Sequence, residues 1–263
     1  MAPTTAVLVD IDGVIVVSWS ALPGAVDALQ RIRRSGLPVR FLTNTTSRTR
    51  AGITAALQAA GFDVEADEVL TATSAAAAHL LRHHAGRPCF VLNHGDVSED
   101  LRGVELVDRS TPPDRVGVVL VGGAGHEFDY EAIDHAARCL WSGASLVAAH
   151  RNPLWRTAGG LQLDAGPFVA ALEHASGTRA TIVGKPADAM FAAALDSVGA
   201  EPDQAVMVGD DLDSDVRGAQ AHGLTGIQVR TGKFRAEQLD DGGAPPDVLL
   251  DSIADLPRWL GLN

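Results

Sequence analysis

The feature that most constrains this chain is an alternation, in which short unbroken apolar runs are separated by longer stretches with helical spacing. The runs are 7–9, 39–42, 90–92, 116–121, 146–148, 180–183, 205–208, 227–229 and 248–250. Segments this short, with no polar residue at every second place, suit strands buried on both faces. Between them Val26, Leu29 and Ile32 line one helical face ahead of Gly36, and Ile53, Leu57 and Ala60 do so ahead of Gly61. Glycine there fits the left-handed residue that ends a helix. Strand and helix in turn predict an α/β fold, a Rossmann-like parallel-sheet core of three α/β/α layers.

One sheet need not take every strand, and the Gly- and Ala-rich middle of the chain suggests an insertion. The expected division is a catalytic core at 1–74 and 179–263 with a smaller inserted α/β domain at 75–178. Its boundaries rest on the alanine-rich helix that begins at Ala75 and on the Gly177-Thr178 break. Every chemical motif described below lies outside the insert.

Composition narrows the partners. A chain of 263 residues, 46% hydrophobic and 21% charged, can bury the core of one large or two modest domains. A formal net charge of −12 and a pI near 5.1 set the surface against polyanions. Arg31, Arg33 and Arg34, then Arg48 and Arg50, cluster only on helical stretches and read as solvated faces, so no nucleic-acid partner is expected. Cys89 and Cys139 are far apart, flanked by apolar residues and lack C-x-x-C spacing, which predicts buried free thiols. Residues 1–5 carry no basic start and Asp10 ends the apolar run from Ala6, so neither signal peptide nor membrane span is expected, and the location predicted is cytoplasmic.

Asp10-Ile11-Asp12-Gly13 directly follows the first buried strand, at the carboxyl end where open α/β sheets bind ligands. Two carboxylates one residue apart, with Gly13 allowing a sharp turn, can divide the roles of ionised nucleophile or ligand and protonated acid. An acidic turn or helix cap explains the same residues equally well. Thr43-Asn44-Thr45-Thr46-Ser47 follows the second strand, where hydroxyls and N–H groups could face an anion. For Thr46 and Ser47 ordinary helix capping is the better reading, but Thr43 at the strand end is harder to dismiss.

Gly184-Lys185-Pro186 puts an ammonium at the same sheet edge, suited to offset a carboxylate and phosphoryl oxygens, though a loop lysine is usually only solvated. Gly209-Asp210-Asp211-Leu212-Asp213-Ser214-Asp215 follows the strand 205–208, and so dense an acidic loop repels itself unless a cation compensates. Its resemblance to a calcium-binding EF-hand loop fails at Val216 and His222, where glycine and glutamate are required. Magnesium, held by one or two carboxylates and substrate phosphate, fits better. Neither Gly184-Lys185 nor Gly232-Lys233 has the upstream glycine of a P-loop, and His79 and His83 lack an H-E-x-x-H pattern and read as a solvated face.

Taken in order, Asp10-x-Asp12-Gly13, Thr43, Lys185 and Gly209-Asp210-Asp211 resemble the four motifs of the haloacid dehalogenase-like hydrolase superfamily. The long gap between Thr43 and Lys185 is similar to the NagD-like subgroup, in which a large α/β cap is inserted there. The branch of phospholysine phosphohistidine inorganic pyrophosphate phosphatases and their hydrolase-domain siblings is closest, through 41–46, Gly166-Pro167-Phe168, Gly218-Ala219-Gln220 and Thr231-Gly232-Lys233. The resemblance implies a Mg²⁺-dependent phosphatase acting through an aspartyl-phosphate. Asp10 would be nucleophile and metal ligand, Asp12 acid/base and a ligand through its carbonyl, Thr43 and Asn44 phosphate contacts, and Lys185 a charge neutraliser. Asp210 would be a metal ligand with Asp211 or Asp215 supporting it.

The chain departs from that branch at Asp12, where those relatives carry Ser. An ester alkoxide gains most from a general acid, so phosphate monoesters of small metabolites are the expected substrates, ahead of pyrophosphate or N-phosphates. Phosphoryl transfer to an acceptor alcohol through the same intermediate, and non-catalytic phosphate binding, are the other classes. The insert is expected to act as a lid, with substrate choice among His94, Asp96, His126, Asn152, Trp155 and Asp164. Trp155 fits core packing or a homodimer contact equally.

Overall fold

A computed structural model describes residues 3–157, 160–240 and 242–262. The chain divides into two compact units. The first comprises 1–43, 51–70 and 185–263, and the second 44–50 and 71–184. These limits differ from the expected 74/75 and 178/179 for local reasons. Helix α3 is continuous from Ala72 to His83, capped by the Thr71 hydroxyl, and a strand at Thr181–Ile182 pairs within the second unit.

The first unit is built on strands β1 (Ala6–Asp10), β4 (Val39–Thr43), β5 (Val69–Thr71), β13 (Ala205–Gly209), β14 (Thr225–Val229) and β15 (Val248–Leu250). They form one sheet in the order β15-β14-β13-β1-β4-β5, with β1 parallel to both β13 and β4. A short hairpin, β2 (Val16–Val17) and β3 (Ser20–Ala21), follows β1. Alternate residues of each strand enter different cores, as a strand's period of two requires. Val7, Val9, Phe41, Val206 and Val208 pack with α1 (Ala25–Arg34) and α2 (Arg50–Ala59). Ala6, Leu8, Leu42 and Met207 pack instead with α6 (Asp188–Asp196) and α7 (Gly218–Ala221), while α8 (Leu256–Trp259) closes the chain on the α1 side. Each fully buried Leu or Phe side chain contributes about 1.5–3 kcal/mol.

The second unit repeats the plan. Its parallel sheet runs β12-β9-β8-β6-β7, made of β6 (Cys89–Leu92), β7 (Leu106–Val107), β8 (Val118–Val121), β9 (Ser145–Ala148) and β12 (Thr181–Ile182). One face packs on α4 (Tyr130–Trp141) and α5 (Ala165–Ser176), the other on α3. A separate antiparallel hairpin, β10 (Leu154–Thr157) with β11 (Gly160–Leu163), lies between β9 and α5 in the chain. Both thiols are free and buried, and burial pushes Cys89 up to about 12 and Cys139 to about 11. No helix among the described residues is long and apolar enough to cross a membrane.

Candidate active site

Strand order reverses at β1, which has β4 on one side and β13 on the other, and such a switch point is where open sheets form a crevice beyond their strand ends. Asp10 is the last residue of β1, Thr43 of β4 and Gly209 of β13. Past Asp10 the chain turns at once. Gly13, at a φ of 90°, donates its N–H to the Val16 carbonyl at 2.8 Å, and the N–H of Ile15 reaches the Ile11 carbonyl at 3.1 Å.

Lys185 joins three of these segments. Its buried Nζ reaches Asp10 Oδ1 at 2.5 Å, Asp215 Oδ1 at 2.6 Å and the Leu42 carbonyl at 3.1 Å. Asp215 arrives from the π-helical turn Leu212–Arg217, and it can do so because residue 209 is glycine: a Cβ there would collide with the Asp215 side chain. Asp211 and Asp215 are placed differently. Asp211 Oδ1 accepts from the N–H groups of Asp213 and Ser214 and caps the turn, whereas Asp215 points into the cluster.

Asp10, Asp210 and Asp215 are all buried, and each offers an oxygen within 4.8 Å of the others. Burial pushes the Asp10 carboxyl up, against the ammonium groups of Lys185 and Lys233. Asp210 is raised well above the carboxylate range by burial, with the charge of Asp10 adding to the effect, and burial lifts Asp215 to about 7. Burial opposes the Lys185 ammonium, yet Asp10 and Asp215 hold it above its ordinary range. Asp12 stands at the more exposed mouth, and withdrawal from water raises its carboxyl too, against Lys233 and Lys185. Carboxyl groups this crowded ionise together only if more positive charge joins them. Among the described residues none hydrogen-bonds Asp210 Oδ1, although it is buried. All-oxygen donors at this spacing suit a hard divalent cation such as Mg²⁺.

A model of the family described as haloacid dehalogenase-like hydrolase matches residues 7–107, and a HAD-hydrolase-like model matches 182–256. Human haloacid dehalogenase-like hydrolase domain-containing protein 2 is 38% identical over 94% of this chain and 92% of its own length. Human phospholysine phosphohistidine inorganic pyrophosphate phosphatase is 37% identical over 97% and 93%. The chain belongs to the haloacid dehalogenase-like hydrolase family. Among solved structures, the p-nitrophenyl phosphatase of Archaeoglobus fulgidus superposes with a TM-score of 0.89 at 26% identity, covering 98% of this chain and 99% of that one. A Mycobacterium tuberculosis glycerol phosphate phosphatase in complex with magnesium gives 0.84 at 28% identity, covering 96% and 76%.

Of the residues singled out in this haloacid dehalogenase-like chain, Asp10, Lys185, Asp210 and Asp215 meet, with Asp12 in the next turn and Thr43, 2% exposed, following Leu42. Asn44 belongs to the second unit, where its Oδ1 lies against Gly184. Thr46 and Ser47 do not cap a helix, since α2 begins only at Arg50; Thr46 Oγ1 instead accepts from the Gly123 N–H at 2.7 Å. Within the second unit His94 pairs with Glu127 at 3.0 Å and stands 5.7 Å from the His126 ring. Asp96 closes its own turn on the Ser98 N–H, and Asp164 caps α5, so both have structural tasks. Asn152 donates its N–H to His150, and Trp155 lies half-buried on β10.

Absent from the expected set was Lys233, whose N–H donates to Asp210 Oδ2 at 2.7 Å and whose Nζ lies 3.5 Å from Asp211. It was detectable. Gly232-Lys233 follows the run 227–229 much as Gly184-Lys185 follows 180–183.

Proposed function

We propose that this hydrolase is a Mg²⁺-dependent phosphatase that cleaves phosphate monoesters of small metabolites through an aspartyl-phosphate on Asp10. The observation that carries the reading is the buried group of Asp10, Lys185, Asp210 and Asp215, with a second carboxyl, Asp12, one turn away. Asp10 Oδ attacks phosphorus, the bond from phosphorus to the ester oxygen breaks, and Asp12 gives its proton to that departing oxygen. Asp12 then takes a proton from water as the water oxygen attacks the same phosphorus, which releases phosphate and restores Asp10. The raised Asp12 carboxyl suits the first half of this cycle, because an acid keeps its proton only if its pKa approaches the working pH. Lys185 holds the nucleophile in place and offsets phosphoryl charge, and Thr43 and Asn44 contact the phosphoryl oxygens. Mg²⁺ held by Asp10, Asp210 and the Asp12 carbonyl would add charge neutralisation of the transferring group.

A second reading, hydrolysis of pyrophosphate or N-phosphates, is favoured by the likeness to the phospholysine phosphohistidine inorganic pyrophosphate phosphatase. Asp12 separates the two, since a pyrophosphate or a protonated amine departs without much need of an acid. A panel of sugar phosphates, glycerol phosphates, nucleotides, pyrophosphate, phospholysine and phosphohistidine, run with and without Mg²⁺, tests it. Turnover should require Mg²⁺ and be fastest on an ester. A P–N substrate or pyrophosphate outrunning every ester would overturn the monoester assignment, and phosphate transfer to added alcohols in preference to water would make the enzyme a transferase.

A further inference from the structure

Residues 231–233 are not needed to name the nucleophile, the acid or the cation ligands, yet they touch two of the site segments at once. Thr231 Oγ1 donates to the Gly13 carbonyl at 2.5 Å, which ties the turn that follows Asp10 and Asp12 to the end of β14. The next residue, Gly232, has a φ of 61°, and a Cβ on it would strike both Asp210 Oδ2 and the Gly13 Cα. Gly13 mirrors it: at its φ of 90° a Cβ would strike Asp210 Oδ2 and the Gly232 Cα. The two glycines therefore meet backbone to backbone, with one edge of the Asp210 carboxylate against both. The Lys233 N–H completes the arrangement by donating to that same Oδ2 at 2.7 Å. Asp210 Oδ1 is buried and receives no hydrogen bond from the described residues.

The geometry points to Thr231-Gly232-Lys233 as a backbone clamp that engages one oxygen of Asp210, turns the other toward the cation, and fixes the Asp12 carbonyl beside it through the Thr231–Gly13 bond. Thr231 and Gly232 are positioning residues in this account, and Lys233 acts through its N–H rather than its ammonium. The inference rests on the reading of Asp10, Asp12 and Asp210 as cation ligands. Groups that orient ligands in this way commonly change metal affinity by about 10- to 100-fold when removed.

The test is direct Mn²⁺ binding to the full chain, read as loss of the hydrated-ion electron paramagnetic resonance signal, with thermal melting followed in parallel. Wild-type protein should bind one Mn²⁺ per chain. Thr231→Val, which keeps shape but removes the hydroxyl, should bind about tenfold more weakly or worse. Thr231→Ser should restore affinity, and Lys233→Met, which keeps the N–H, should bind no more weakly than wild type. If the valine variant does not fold, Thr231→Ala makes the same comparison. Unchanged Mn²⁺ affinity in a folded variant without the hydroxyl overturns the clamp while leaving the cation reading intact. The clamp also fails if serine does not rescue, or if Lys233→Met is as weak as Thr231→Val. Wild-type protein that binds no Mn²⁺ refutes the cation reading itself and the clamp with it.

Discussion

The two units are built alike and end differently. Each has a parallel sheet with an apolar core on both faces, and each uses alternate strand residues to fill those cores. What differs is the residue placed where each strand stops. In the first unit β1 and β13 end in Asp10 and Gly209-Asp210, and the result is a buried cluster of acids in which Asp10 and Asp215 share the Lys185 ammonium. In the second, β6, β8 and β9 run into Asn93, Gly122 and Ala149-His150, and the Asn93 amide there is held by backbone carbonyls of the same unit. Asn93 Nδ2 holds the carbonyls of Thr46, His94 and Gly95, and Asp164 caps α5. A sheet thus supplies edges, and chemistry arises where neighbouring edges carry like charges that the fold leaves only partly compensated.

The largest expected effect breaks that contrast at its centre. Asp10→Asn keeps size and most polarity but removes the nucleophilic oxyanion, so turnover should fall by on the order of 10⁴-fold or more with the fold retained. Steady-state kinetics with circular dichroism checks this. Asp12→Asn should cost about 10² to 10⁴ in kcat on an ester and less on pyrophosphate, and equal losses on both would remove the acid from the scheme. Core substitutions probe the shared plan: Leu57→Ala in the first unit and Leu172→Ala in the second, both fully buried, should each destabilise by about 2–5 kcal/mol in denaturant unfolding. A much smaller loss in one would show that its packing is looser than the other's.

The smallest effect concerns matching ion pairs. Arg33 holds Glu68 through two bonds of 2.9 and 2.6 Å in the first unit, and Arg151 holds Glu173 at 3.2 and 2.8 Å in the second. Both carboxyl groups lie below their usual range, against burial, through their arginine partners and a backbone N–H each. A depressed folded-state pKa stabilises above the unfolded value and stops doing so as pH falls through the folded one. Glu68→Gln should therefore lower stability by about 1 kcal/mol at neutral pH, and the gap to wild type should close as acid protonates Glu68. A gap that persists at low pH would mean the glutamate acts through packing, not charge.

Much of this could be read from the sequence, because continuous apolar runs and their terminal residues are local signals. The strands at 7–9, 39–42, 205–208 and 227–229, the helices before Gly36 and Gly61, and the haloacid dehalogenase-like family all follow from them. Two-residue strands such as Val16–Val17 and Leu106–Val107 are too short for any period to register. Thr46 reads locally as a helix cap, but its partner, the Gly123 N–H, is 77 residues away, and no local pattern encodes that. Which of Asp211 and Asp215 points into the cluster depends on how tightly the turn after β13 winds, and the spacing of the four aspartates leaves that open. Lys233 has no role in the expected set because Gly232-Lys233 reads there as a failed P-loop and as part of the family resemblance, not as one more strand-end cation.

The account stands or falls on covalent chemistry at Asp10. Wild-type enzyme mixed with its best ester and Mg²⁺, quenched in acid within one turnover and reduced with borohydride, should yield homoserine at position 10 by peptide mass spectrometry, since only an acyl phosphate is reduced. Unmodified Asp10 in an enzyme that is turning over, or homoserine at any other aspartate, would contradict it.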